Sequence, residues 1–353
     1  MSGGGAGGGG ESGGGGAGGA PAGAGGAAPY RLVAYDPSQR DAYLALLREA
    51  WGEGSMTGAE FDWWFAGNPV GSLLSTAELD GRIAGVAGHS LARLMLGGEE
   101  RLGQFSVHAT TQAGARGLGI FRALELRHEE QGAQRGSQVV LAFASAPTSP
   151  LFTGPLGWTA IDRRRVWLRP LRALARRAVG RAPRRALAPA AGAAWRYGGV
   201  AVRRVERFGP EADAAYRAAV PRLANHVVRD AAYLNWRFLD SPRGYRAFAT
   251  PGGFAVLGHK LHRGVSLAVL AECVAPAREA WALVRRCIAE ARGAEALALV
   301  PPAGLPRAAL LALGFLPSPV SLDFMGKALA GAAAPLDTRS GAWRVSLGDT
   351  DFF

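Results

Sequence analysis

Two stretches of this chain are variants of one another. Residues 61–71 read FDWWFAGNPVG and residues 234–244 read LNWRFLDSPRG. Trp63 aligns with Trp236, Pro69 with Pro242 and Gly71 with Gly244, every pair 173 positions apart. Gly85 of GRIAG and Gly258 of FAVLG keep the same offset. Four landmarks in one ungapped register point to a repeated unit, over residues 30–168 and 199–330. A chain of 353 residues has room for about two domains, so one copy per domain is the expected organisation.

The periodicities of the two copies agree. In the first, YRLVAY (30–35) reads as a strand. Tyr43, Leu46, Leu47, Ala50 and Trp51 then fall on one helical face. A short helix over Phe61–Phe65 stops before Asn68-Pro69. SLLSTAEL and RIAGVAGHSLARLML flank Asp80-Gly81, a hairpin signal, and Gly97-Gly98 turns into RLGQFSVHATT. A helix from Ile120 to about Gln131, the strand QVVLAFASA, a helical piece ending at Leu156-Gly157-Trp158 and the strand RRRVWLRP complete the unit. The second copy repeats this order. It has a hairpin after Pro242, the strand VSLAVLAECV, and a helix with Trp281, Val284, Cys287, Ile288 and Ala291 on one stripe. ALALVPP, LPRAALLALGF and VSLDFMGK follow as strand, helix and strand. The repeated tryptophans thus mark a helix-to-hairpin corner, as core anchors or as lining of a cleft.

The remaining segments differ in kind. Residues 1–28 are almost all Gly and Ala and offer no side chains whose burial could offset chain entropy, so a disordered tail is expected. Its Gly-x-Gly-x-x-Gly matches follow no strand and carry no dinucleotide signal. There is no basic-then-apolar leader pattern and no apolar run of about 18 residues, so neither a signal peptide nor a membrane span is expected, and the default location is cytoplasmic. Cys273 and Cys287 do not make a disulfide framework. The net charge of +12 is concentrated between Asp162 and Arg207, where fourteen arginines face two acids. Within the linker, residues 169–198, Leu171, Leu174, Ala175 and Ala178 share a stripe with Arg172, Arg176 and Arg177 off it, and Pro183 and Pro189 interrupt any long helix. A solvated linker is the favoured reading. An acidic partner or anionic lipid heads are alternatives. Nucleic acid is disfavoured, because only Trp195 and Tyr197, at one end, could stack on bases. In the extension 331–353, Trp343, Val345 and Leu347 alternate like a docking strand, followed by Asp349 and Asp351, to which the sequence assigns no role.

One stretch carries chemistry: SVHATTQAGARGLGIFRALELRHEE. A strand ends near Val107–Thr110, and Arg116-Gly117-Leu118-Gly119-Ile120-Phe121 leads into a helix. Glycines there let backbone amides approach an anion that the helix dipole also attracts. Arg116-x-x-Gly119 in this setting resembles the pyrophosphate loop of the GNAT (GCN5-related N-acetyltransferase) superfamily, and the element order resembles it over nearly all of 30–168. The resemblance implies an α/β (α+β) fold of two tandem GNAT-like modules, each a mixed, mostly antiparallel twisted sheet flanked by helices. The second module, which reads AECVAPAREAWALV where the loop would be, looks degenerate.

The resemblance further implies acetyl-CoA as co-substrate. Its pyrophosphate would lie on the amides of Arg116 to Phe121, and its acyl carbonyl against the backbone of Val107–Ala109. A small-molecule amine, an amino sugar among the possibilities, would attack the thioester directly. Two positions depart from the family pattern. Phe121 stands where a small residue is usual, and Thr153, beside Phe152, where a tyrosine often acts as acid. His108 is the candidate base, or else a partly exposed strand histidine. A non-catalytic acyl-CoA sensor and a tRNA-dependent aminoacyl transferase of the peptidoglycan-bridge type are the alternatives. His259-x-x-His262 lacks a third ligand and the spacing of a helical metal pair, so no metal is expected. Neither Gly-x-Ser-x-Gly nor a phosphate-binding Gly-Lys-Ser/Thr is present. The oligomeric state is not encoded in any recognisable way.

Overall fold

The computed structural model describes residues 28–52, 55–144, 148–171, 194–222, 225–262, 264–339 and 341–351. The glycine-rich tail up to Ala27 and the arginine-bearing stretch 172–193 lie outside these residues. In the first half the elements are β1 (Arg31–Ala34), α1 (Arg40–Trp51), α2 (Gly58–Phe61), β2 (Ser72–Leu79), β3 (Arg82–Leu96) and β4 (Glu99–Thr111). Then come α3 (Ile120–Gln134), β5 (Val139–Ala144), α4 (Ser149–Thr153) and β6 (Thr159–Pro170). The second half has β7 (Ala194–Tyr197), β8 (Val200–Val205), α5 (Pro210–Ala219), β9 (His226–Val227), α6 (Ala231–Leu234), β10 (Arg246–Thr250) and β11 (Gly253–His262). It ends with β12 (Val265–Val274), α7 (Ala277–Glu290), β13 (Ala296–Leu299), α8 (Arg307–Ala312) and β14 (Leu316–Ala328).

The repeated corner has the same build in both halves. Thr57 caps α2 by accepting from the Glu60 amide, and Asp230 caps α6 by accepting from the Tyr233 amide. Each helix then widens into a π-helical turn, Asp62–Ala66 and Asn235–Leu239. The widening turns the tryptophans inward to face each other. Trp63 Nε1 donates to the Trp236 carbonyl at 2.6 Å, and Trp236 Nε1 donates to the Trp63 carbonyl at 3.2 Å. The exchange satisfies two indole donors that burial would otherwise leave unpaired. The buried Arg237 guanidinium lies over Trp64 and Trp63, 4.5 and 5.4 Å from the ring centroids. The repeat is therefore the seam that holds the halves together.

All strands but β9 follow one path, β1-β2-β3-β4-β5-β14-β6-β13-β12-β11-β10-β8-β7, and β9 pairs with β3. Only β4–β5 and β12–β13 are parallel; each is joined by a helix, α3 or α7, as a parallel connection requires. RRRVWLRP does form a strand, but it does not close the first unit. β6 lies between β14 and β13, and β14 lies between β5 and β6. Each half lends its last strand to the other, so both edges that would be exposed at the middle are paired. The boundaries 30–168 and 199–330 cut through this exchange.

The C-terminal segment is also corrected. It docks, but not as a strand. Trp343 makes a single bridge to Asn225, and Leu347–Asp349 form a 3₁₀ turn. Trp343 and Leu347 are buried and Val345 is half-buried, but Ser346 and Gly348 are buried as well, so no strand-like alternation of faces results. The backbone is satisfied by a capping box between Ser346 and Asp349 and by the Arg344 amide donating to the Asn225 carbonyl. Leu347 packs with Val269, Ala298 and Val300, beyond the last β12–β13 pair, Val269 with Ala298.

Candidate functional site

β4 and β5 pair only at Gln104–Val140 and Phe105–Leu141. Beyond Phe105 they diverge, and the β5-facing edge of β4 has no strand partner. The opening is a cavity of about 860 Å³, lined on one side by Ser106–Thr111 and on the other by Ala142, Phe143 and Phe152. The register of β3 with β4 shifts between Val86 and Gly88, so Ala87 faces both His108 and Ala109. This bulge holds His108 at φ 52°, a left-handed conformation that costs a non-glycine residue energy.

The glycine loop stands at the mouth of the same cavity, lined by Arg116, Gly117, Gly119, Ile120 and Phe121. Gly117 and Gly119 have φ values of 86° and 81°, which an L side chain rarely adopts. A Cβ on Gly117 would meet nothing within 4 Å, so the backbone is open to an approaching group. Gly119 caps α3, whose first-turn amides have no partner within the helix. Among the described residues no backbone acceptor meets the amides of Gly117, Gly119, Ile120 or Phe121. The site is thus a cradle of amides at a helix start, with Arg116 and Arg122 beside it, suited to a polyanion such as a pyrophosphate. Phe121 does not close it. Its ring turns sideways onto Phe152, with centroids 5.4 Å apart. Leu118 points outward, 40% exposed.

His108 is not an ordinary strand histidine. Its ring sits among Trp51, Trp64 and Phe65, all in edge contacts near 6 Å (5.9, 6.0 and 6.3 Å). Its Nε2 is buried with no hydrogen-bond partner among the described residues. The Asp351 carboxylate lies 3.9 Å from Nε2 and accepts from the His108 amide at 3.4 Å. Burial lowers the His108 pKa, Asp351 opposes the shift, and Arg243 adds to it. The imidazole is therefore neutral at neutral pH. His108 also lines a smaller adjoining cavity of about 150 Å³ with Glu60, Arg243, Lys260 and Asp351. The residue thus borders both spaces.

Several contributors escaped sequence reasoning. Asp351 comes from the far end of the chain, and Trp51 and Lys260 line the cleft from α1 and β11. Ser106 donates to Glu125 Oε1 at 2.9 Å, while Glu125 Oε2 lies 2.9 Å from His89 Nε2. This buried chain pins β4 to α3 and β3. Thr153 is not brought to the site, for its hydroxyl turns back to the Ser149 carbonyl at 3.3 Å. In the second half α7 begins at Pro276 without a glycine loop, and Leu347 sits where β12 and β13 part. His259 is engaged by Arg246 at 2.9 Å. Among the described residues no three His, Cys, Asp or Glu side chains cluster as metal ligands, and no helix is long and apolar enough to cross a membrane.

No family model and no curated protein matches the sequence. Solved structures do match the fold. A GCN5-related N-acetyltransferase from Anabaena variabilis superposes with a TM-score of 0.60 at 11% identity, over 84% of this chain and 72% of that one. One from Kribbella flavida gives 0.56 at 18% identity, over 88% and 73%. Saccharomyces cerevisiae N-myristoyltransferase, solved with bound myristoyl-CoA and inhibitors, gives 0.59 at 11% identity, over 90% and 87%. The chain has the GNAT-superfamily fold.

Proposed function

We propose that this protein is an acyl-CoA-dependent N-acyltransferase, with acetyl-CoA as the first co-substrate to test. The observation that carries the reading is the meeting, in one cleft, of an open amide cradle, an unpaired strand edge and the unpartnered Nε2 of His108. The pyrophosphate binds the amides from Arg116 to Phe121, and the thioester carbonyl lies along Val107–Ala109. The acceptor enters from the adjoining cavity. Its amine nitrogen attacks the carbonyl carbon, and the C–S bond breaks. The ammonium proton passes to His108 Nε2, and the departing thiolate takes a proton from water. Orientation supplies most of the acceleration, and base catalysis adds to it. The halves are read as two copies of one module, of which 30–168 binds acyl-CoA and 199–330 shapes the acceptor side. The missing glycine loop and the docked C-terminal strap support that division.

One observation favours a second reading, acyl-CoA binding without transfer: Thr153 turns its hydroxyl back to the Ser149 carbonyl, away from the cleft. Calorimetric titration of acetyl-CoA into the protein and into Gly119→Trp tests the shared premise, with melting curves to confirm folding. The intact protein is expected to bind one equivalent, and Gly119→Trp to lose at least about tenfold in affinity by filling the cradle. Equal binding by both would move the cofactor elsewhere. Turnover with an amine panel then separates enzyme from sensor.

A further inference from the structure

A second surface has the chemistry of a binding site and lies apart from the acyl cleft. The outward stripe of α7 and the helix end beyond it carry Trp281, Arg285, Ile288 and Arg292, at helical spacing. Together with Arg169 at the end of β6 and Tyr197 at the end of β7 they line a groove of about 650 Å³. Arg169, Arg285 and Arg292 make no ion pair among the described residues. Neighbouring carboxylates are engaged: Glu290 holds Arg246 and Arg286, and Glu295 accepts from the Ser266 amide. The Arg285 guanidinium lies over the Trp281 ring at 4.6 Å and the Tyr197 ring at 5.4 Å. Between Leu171 and Ala194 the sequence carries six arginines and no acid.

We infer that this groove binds single-stranded nucleic acid. Uncompensated guanidinium groups in a concave site select a polyanion, and the exposed Arg285 guanidinium, backed by the half-buried Trp281 and Tyr197 rings, adds a plane on which a base can stack. A lipid headgroup or an acidic peptide would use the charge of the groove alone, whereas a base would also use the guanidinium plane. The sequence alone argued against nucleic acid because only Trp195 and Tyr197, at one end of the basic segment, could stack on bases. The fold adds Trp281 of α7 beside Tyr197.

The test is fluorescence anisotropy of a labelled uridylate 12-mer with the full chain, repeated across salt concentrations. Binding is expected, weakening as salt rises. Arg169→Gln/Arg285→Gln/Arg292→Gln is expected to weaken it at least about tenfold and to flatten the log–log salt slope by about 2, near 0.7 per lost phosphate contact. Arg285→Lys keeps the charge and removes the plane, and should weaken binding with the slope unchanged. Melting curves check that the variants fold, and two of the three arginines are exposed. Several results would overturn the proposal: no binding by the intact chain, or polyphosphate of equal charge binding as tightly as the 12-mer. So would UTP competing as well as the 12-mer, or capture by anionic phosphatidylglycerol vesicles in its place. Binding lost on neutralising the arginines of 172–185, and untouched by the triple variant, would place the site outside the groove.

Discussion

Replacing His108 with asparagine is expected to lower kcat/KM for acyl transfer by about 10²- to 10³-fold, the range of a lost general base. Asparagine is chosen because it tolerates the left-handed backbone at φ 52° better than other residues. The bulge and the cleft should survive, and acyl-CoA affinity should stay within about threefold of the intact protein. The pH profile gives the sharper readout. Burial holds the His108 pKa below the ordinary value of 6.5, so activity should rise with pH along a limb centred below that value and then level. The limb should vanish in His108→Asn. In Asp351→Asn it should move to lower pH, because the Asp351 carboxylate is what raises the pKa against burial. A His108→Asn enzyme that keeps both its rate and its acid limb would remove His108 from the chemistry and leave water as the base.

The parts of this site that were legible in the sequence are local ones. Gly117 and Gly119 follow a strand and start a helix, and that adjacency is visible in a string of letters. The 173-residue register of Trp63 with Trp236 was visible for the same reason, since a repeat needs only comparison along the chain. What the pair does was not visible. The reciprocal indole bonds depend on two π-helical turns meeting face to face, and propensity contains no signal for that. The exchange of β6 and β14 was hidden for a related reason. Either strand could pair beside β5 equally well by composition, and the choice rests on packing across the seam. Asp351 was out of reach because 243 residues separate it from His108 and nothing between them announces the return. The C-terminal segment was misread because apolar residues alternate along it while strand hydrogen bonding does not follow. Ser346 and Asp349 cap a turn there, and side chains meet the backbone where a strand would have needed a neighbour.

The two halves differ at the corresponding place. Each has a parallel strand pair that parts, β4 from β5 and β12 from β13. In the first the gap is lined by an open loop and a histidine. In the second, Leu347 lies among Val269, Ala298 and Val300. The strap that seats in the second gap continues to Asp351 and so reaches the first. Apolar strand edges would be exposed at that gap without the strap, and Leu347 covers them.

The anchor of that strap carries the largest stability effect expected here. Arg229 is fully buried and pairs with Glu272 at 2.8 Å and with Asp349 of the strap. Arg344 of the strap also pairs with Glu272 and donates to the Cys273 carbonyl at 3.0 Å. Burial pushes the Glu272 pKa up, but Arg344 and Arg229 outweigh it and hold the group down at about 2. Arg229→Met removes the central cation, leaving Asp349 without its buried partner and Glu272 with Arg344 alone, and should cost about 3–5 kcal/mol in urea unfolding. Adding Asp349→Asn should recover part of that loss, because one stranded charge is gone. The pH dependence follows from the sign of the shift. A carboxylate depressed from 4.5 to about 2 contributes stability that is fully present above 4.5 and is lost as pH falls toward 2. The gap between the intact protein and Arg229→Met should therefore narrow over that interval, by Arg229's share, since Arg344 remains beside Glu272. The same variant reports on the cleft. With the strap loosened, Asp351 no longer faces His108. At temperatures where Arg229→Met stays folded, its acid limb should shift to lower pH, as in Asp351→Asn. A loss below about 1 kcal/mol would mean that water reaches the cluster and that the strap is held by Trp343 and Leu347 alone.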